Sequence, residues 1–308
     1  MSLDDGTITC QGAIEFVQRL RDLPLDDKTP EIVTRYIFRG QGHASWKLVP
    51  SAFRPGTLLG YENQQFCRIS GGAPKLTWDQ GDAERVALFE FLTLADKVGL
   101  DIPIDHTWLS GNPFENVVGH DIGICDWPPP ELYASLALAQ HHGVPTRLLD
   151  FTYDPLTAAF FAAAAPASDA KHVAVWSIDL QSIYLATKQL GLPIEIVNVS
   201  RMHNRNLAAQ NALFVLDRIV NPRDLPLEAK LEECVTAAVN RGLVPPHSRA
   251  VRKFCLPVGA CDDLLGLLGK LGVDRAHMMP SFDGVVRELE ARRGRQPPRA
   301  IPTVGEGL

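Results

Sequence analysis

Apolar residues recur at three- and four-residue spacing over Ala13–Leu23 ("AIEFVQRLRDL") and over 82–100 ("DAERVALFEFLTLADKVGL"). That period lays one face of an α-helix against a core. Both stretches are read as amphipathic helices, the second capped at its start by Asp82 and stopped by Gly99. Between them, "IVTRYIF" (32–38) is β-branched and aromatic and reads as a strand that ends at Gly40 and Gly42. "GTLLGYENQQFCRISGGAPKL" follows no period, and Gly71-Gly72 marks it as loop.

Residues 101–130 also lack a sustained period and are read as a long irregular connection. Beyond the proline run, "ELYASLALAQHHG" is a helix ended by Gly143, "TRLLDF" is extended, and Asp154-Pro155 opens a helix through "LTAAFFAAAA". "HVAVWSI" (172–178) is a buried strand, with a helix expected from Leu180. "NALFVLDRI" (211–219) and "RAVRKFCLP" are further strands; "DLPLEAKLEECVTAAVNRG", "CDDLLGLLGKLG" and "DGVVRELEARR" are helices.

Strands and helices are mixed without the regular alternation of a doubly wound sheet. The expected class is α+β: a single mixed domain with a central, mostly antiparallel sheet flanked by helices. Residues 1–31 form a helical lead-in and 32–292 the main domain, with an irregular insertion over about 55–130. Residues 293–308, rich in proline and glycine, are expected to be a disordered tail.

Composition narrows the function classes. A chain of 308 residues, 45% hydrophobic, buries a substantial core, and its net charge of −6 makes extended nucleic acid a poor partner. The six cysteines are scattered without a close pair, so neither a zinc site nor a disulfide framework is indicated. The opening "MSLDDGTITC" has no basic region followed by an apolar run, and the apolar stretch at Ala158–Ala165 is too short to cross a bilayer. A cytoplasmic location and no membrane partner are expected. No Walker A sequence, GxGxxG after a strand, GxSxG or HExxH occurs.

The remaining chemistry sits at the ends of apolar elements. Arg39 closes a strand and is followed by Gly40-Gln41-Gly42. Its fork suits phosphate or carboxylate, and glycines let backbone approach a ligand; equally, Arg39 could pair with a buried carboxylate. Gln140, His141 and His142 fall on a last helical turn, and Thr146, Arg147 and Asp150 follow. In an extended, unbent chain Arg147 and Asp150 point to opposite faces and do not pair directly; the alternatives are that Asp150 faces Arg39, or that Thr152 and Asp154 cap the alanine-rich helix. Arg205 and Gln210 precede a strand, where Gln210 could meet a ligand or satisfy backbone. The carboxylates Asp150, Asp154, Asp179 and Asp283 have no recognised metal spacing, so no metal and no resident cofactor is expected.

These stretches together resemble the FRG domain family, named for its Phe/Tyr-Arg-Gly motif. The matching residues are Phe38-Arg39-Gly40, then Trp46, Leu48, Pro50, Ser51 and Arg54, and above all "LAQHHGVPTRLLDFTYDPLTAAFFA". "AAQNALFVL" and the closing "MMPSFDGVVREL" are similar too, although family members often carry glycine where Ala212 stands. The resemblance implies a largely uncharacterised bacterial or phage domain, with contexts that suggest conflict between the two.

The order of elements is also similar to that of ADP-ribosyltransferases. That likeness implies NAD as substrate, with Arg39 on the pyrophosphate, Thr152 in the nicotinamide pocket, and His141 and Gln210 in the catalytic set. Gln41, Gln140, Thr146, Arg147 and Asp150 would complete the ligand-binding set. The departure is the third strand, where Gln210 and Asn211 stand in place of a glutamate; an amide hydrogen-bonds but supplies no charge. The alternative is a non-catalytic sensor that binds a nucleotide, or a protein partner, in the same cleft.

Overall fold

The computed structural model describes residues 6–23, 35–58, 60, 66–70, 73–77, 80–104, 127–200, 209–218, 226–244 and 248–295. Nine strands fall among them: β1 (Thr7–Thr9), β2 (Tyr36–Gln41), β3 (Phe66–Ser70), β4 (Ala73–Thr77), β5 (Leu148–Thr152), β6 (His172–Asp179), β7 (Ile194–Val197), β8 (Ala212–Asp217) and β9 (Val251–Pro257). Seven of these make one sheet in the order β1-β9-β6-β2-β5-β8-β7, in which only β1 and β9 run parallel. The α+β class with a central, mostly antiparallel sheet is therefore correct.

Helices cover both faces. On one face, α1 (Ala13–Asp22), α4 (Pro155–Ala164) and α7 (Cys261–Lys270) bury Phe16, Leu20, Ala159, Leu264 and Leu268 against Phe38, Val175 and Phe254 of the sheet. Further along that face, α2 (Gln80–Lys97) and α3 (Tyr133–His141) pack Leu88, Leu92 and Leu136 on Leu148, Phe214 and Leu216. The opposite face carries α5 (Leu180–Tyr184) and α6 (Leu227–Asn240), whose Ile183, Leu231 and Val235 meet Leu149, Phe151, Trp176 and Val215. The alternation along β5 explains the split: Leu148 faces one layer, Leu149 and Phe151 the other. Two helices close the described chain, the short α8 (Arg275–Met278) and the 14-residue α9 (Phe282–Arg295).

Local signals work as read in several places. Asp154 accepts from the backbone N–H groups of Leu156 and Thr157 at 3.0 and 3.1 Å and so caps α4, with Pro155 in its first turn. Gly99 (φ 74°) and Gly143 (φ 90°) take left-handed conformations just past α2 and α3.

Other readings need correction. β2 does not end at Gly40 but runs through it to Gln41, because a glycine there meets helix backbone and not solvent. The stretch read as loop contains a hairpin, β3 and β4, paired from Phe66 opposite Thr77 to Ser70 opposite Ala73. The strand expected at 32–38 is described only from Arg35 onward; residues 105–126 of the expected insertion and the tail after Arg295 lie outside the described residues. At the N-terminus, β1 is the edge partner of β9 and α1 packs its apolar face into the core.

Candidate functional site

The site begins with a fault in the sheet. β2 and β5 are neighbours, yet they share a single register pair, Phe38 opposite Thr152. Where that ladder would continue, the Arg39 guanidinium takes its place: Nη1 donates to the Asp150 carbonyl at 2.7 Å and lies 3.4 Å from the Asp150 carboxylate. On its other side β2 is drawn onto α4. A Cβ at Gly40 would lie 2.0 Å from the Ala158 carbonyl, and one at Gly42 would lie 2.3 Å from that of Ala165. These glycines admit a helix to close approach, and both also line the cleft described next.

The parted strands open into a cleft of about 780 Å³. Arg39, Gln41, Asp150 and Thr152 line its floor, His141 stands at the end of α3, and Gln210 precedes β8. Trp46 and Arg54 contribute from the segment after β2, while Ser281, Asp283 and Arg287 form a wall at the start of α9. Three arginines and two aspartates thus meet in one cleft. Arg54 is bound to the Val49 carbonyl through Nε and Nη2 at 3.2 and 3.1 Å. Burial and then the neighbouring Arg39 guanidinium lower its pKa, while Asp150 acts in the opposite sense. Arg39 Nε is buried without a hydrogen-bond partner. Two guanidinium groups and the exposed Asp150 carboxylate thus share this part of the cleft.

Residues 120–171 match the family model of the FRG domain. The chain carries an FRG domain. No curated protein and no solved structure shows significant similarity to it. The matched stretch contains α3, β5 and α4, and its motif residues divide into two groups.

One group orders the FRG cleft. The Thr146 hydroxyl donates to Gln140 Oε1, Gln140 Nε2 donates to Asp150 Oδ1 at 2.6 Å, and Asp150 in turn faces Arg39. This line of contacts runs through the motif from helix end to strand and fixes the carboxylate beside the guanidinium. Gln140 and Thr146 therefore stand behind the cleft, reaching it only through Asp150. His141 lines the cleft, and its pKa is lowered, first by burial and then by His142, with Asp150 opposing.

The other group holds the fold. Arg147, expected to contact ligand, is 2% exposed and points away from the cleft. It binds Glu84 of α2 through Nε at 2.6 Å and Nη2 at 3.0 Å, donates to the Trp127 carbonyl at 3.3 Å, and stacks over Phe53. Glu84 accepts further bonds from Gln80 and the Trp127 indole, so the buried pair is satisfied. Ser51 and Thr146 exchange two bonds, Oγ to carbonyl and N–H to Oγ, each 3.1 Å. That exchange latches the "PSAFR" segment to the FRG motif.

Three cleft-lining residues are also committed. The Thr152 hydroxyl donates to the Gln210 carbonyl at 2.7 Å and accepts from the Asp154 N–H at 3.0 Å. The Gln210 amide donates to the Met278 carbonyl at 3.1 Å. Gln41, buried, accepts from the Trp176 indole at 2.7 Å. Arg205 lies outside the described residues. Among the described residues no three His, Cys, Asp or Glu side chains converge on a metal position, and no helix is long and apolar enough to cross a membrane. Asp154 and Asp179 serve as helix caps.

Trp46, Arg54, Ser281, Asp283 and Arg287 escaped sequence reasoning as cleft residues. Trp46, Arg54 and the closing segment belong to the resemblance, but nothing in their spacing shows which way they face.

Proposed function

We propose that the FRG cleft binds a phosphate-bearing small molecule of the nucleotide class, NAD included, with its phosphates at Arg39 and Arg54. The observation that carries this reading is Arg39 in the parted strands, with a second guanidinium, that of Arg54, in the same cleft. The cleft is also large enough for a nucleotide. Binding without turnover is the better-supported form. Among the described residues no carboxylate stands at the start of β8, and the Gln210 amide and Thr152 hydroxyl are each occupied by backbone.

A second reading, ADP-ribosyl transfer or NAD cleavage, is favoured by one feature: an arginine within a strand whose neighbour has parted from it. Asp150 and Asp283, the carboxylates of the cleft, would then have to supply the negative charge that Gln210 does not.

A thermal-shift series with NAD, ADP-ribose and ATP, paired with a nicotinamide-release assay, separates the two. The expected result is a rise in melting temperature that Arg39→Ala abolishes, without nicotinamide release. Release that depends on Arg39 would transfer support to the second reading. The absence of any shift with all three compounds would remove the nucleotide reading.

A further inference from the structure

We propose that Trp46 is a stacking platform for the base of the nucleotide, so that the cleft has an aromatic subsite distinct from its phosphate subsite. This inference rests on the preceding reading of the cleft and names which part of the ligand lies where.

Trp46 lines the same cleft as Arg39 and Arg54, yet its side chain does not belong to the core: the residue is 50% exposed. A large aromatic held at the mouth of a polar cleft loses the benefit of burial and gains it back when a planar apolar group covers it. The ring is also fixed in advance. It stacks on His43 with ring centroids 6.0 Å apart and an interplanar angle of 22°. His43 is anchored in turn, since Nδ1 accepts from the Ser45 N–H at 3.0 Å and lies 2.8 Å from the Ser45 hydroxyl. One face of the indole is thus supported from below, and half of the residue remains open. A preorganised ring spends little conformational entropy on binding.

The surrounding sequence folds to present both subsites together. In Trp46-x-Leu48-x-Pro50-Ser51-x-x-Arg54, Leu48 is fully buried and Ser51 is tied to Thr146. The two ends, Trp46 and Arg54, face the cleft. One short segment therefore delivers an aromatic platform and a cation, the pair of groups that a nucleoside phosphate requires. Every base has a π-face, so the platform selects for a base without choosing among bases.

Calorimetric titration of the full chain with inorganic pyrophosphate and with ADP tests the proposal. ADP is expected to bind at least about tenfold more tightly than pyrophosphate, within the range of a single base–aromatic stack. Trp46→Ala should remove that advantage and leave pyrophosphate affinity unchanged, while Trp46→Phe should keep most of it. Equal affinity for ADP and pyrophosphate in the natural protein would overturn the platform, as would ADP binding indifferent to Trp46→Ala. In either case, if Arg39→Lys still weakened both ligands, the nucleotide cleft would stand without its aromatic subsite. Failure of both ligands to bind the natural protein would overturn platform and cleft together.

Discussion

Arg39 and Arg147 flank the same strand pair and differ in what surrounds them. Arg147 is enclosed by Glu84, Trp127 and Phe53 with its donors occupied, whereas Arg39 shares one carboxylate with solvent and keeps a buried Nε unsatisfied. Arg147→Ala strands a buried carboxylate and should cost about 3–5 kcal/mol, seen as a lower urea midpoint; an unchanged midpoint would contradict the bracing role. His141 makes a pH prediction. Burial and His142 hold its pKa below the ordinary 6.5 in the folded chain, so the unfolded chain takes up the proton more readily. The stability this group contributes is present above pH 6.5 and is lost as pH falls through the lower folded value. An NMR titration of the His141 ring should have its midpoint below 6.5, and a midpoint at or above it would refute the assignment. The sequence could suggest that Asp150 faces Arg39, because strand alternation separates it from Arg147. It could not reveal Glu84, which lies 63 residues from Arg147, on α2.

At the scale of elements, the close fit of α4 against β2 is a strong constraint. Gly40→Ala would drive a methyl group into the Ala158 carbonyl. It should cost at least the roughly 1–3 kcal/mol typical of overpacking, with lowered thermal stability as the readout; a neutral effect would mean that α4 shifts freely. Asp154→Ala removes the cap of that helix and should cost about 1 kcal/mol. These elements were legible because their signals are local: a helical period, a capping aspartate before proline, a β-branched run. β1 and β7 have three and four residues, too few for a period to register, and they are strands because a neighbour offers them a ladder. The hairpin of β3 and β4 was hidden for a similar reason, since two five-residue strands show little period of their own.

At the scale of the molecule, four stretches far apart in the chain serve one cleft: the strand and loop over Arg39–Arg54, the FRG motif, the start of β8 at Gln210 and Ala212, and the start of α9. The Ser51–Thr146 exchange and the Gln210–Met278 bond join them. Motif residues thus divide between latches and lining, and only the fold shows which is which. Gln140, Thr146 and Arg147 brace, while Trp46, Arg54 and Arg287 line. The measurement that tests the central claim most directly is a calorimetric titration of ADP-ribose into the natural protein and Arg39→Lys. Lysine can still reach the Asp150 carbonyl but lacks the guanidinium fork. Saturable one-to-one binding, weakened at least about tenfold by the substitution, is the predicted result. Binding that Arg39→Lys leaves untouched, or no binding in the natural protein, would contradict it.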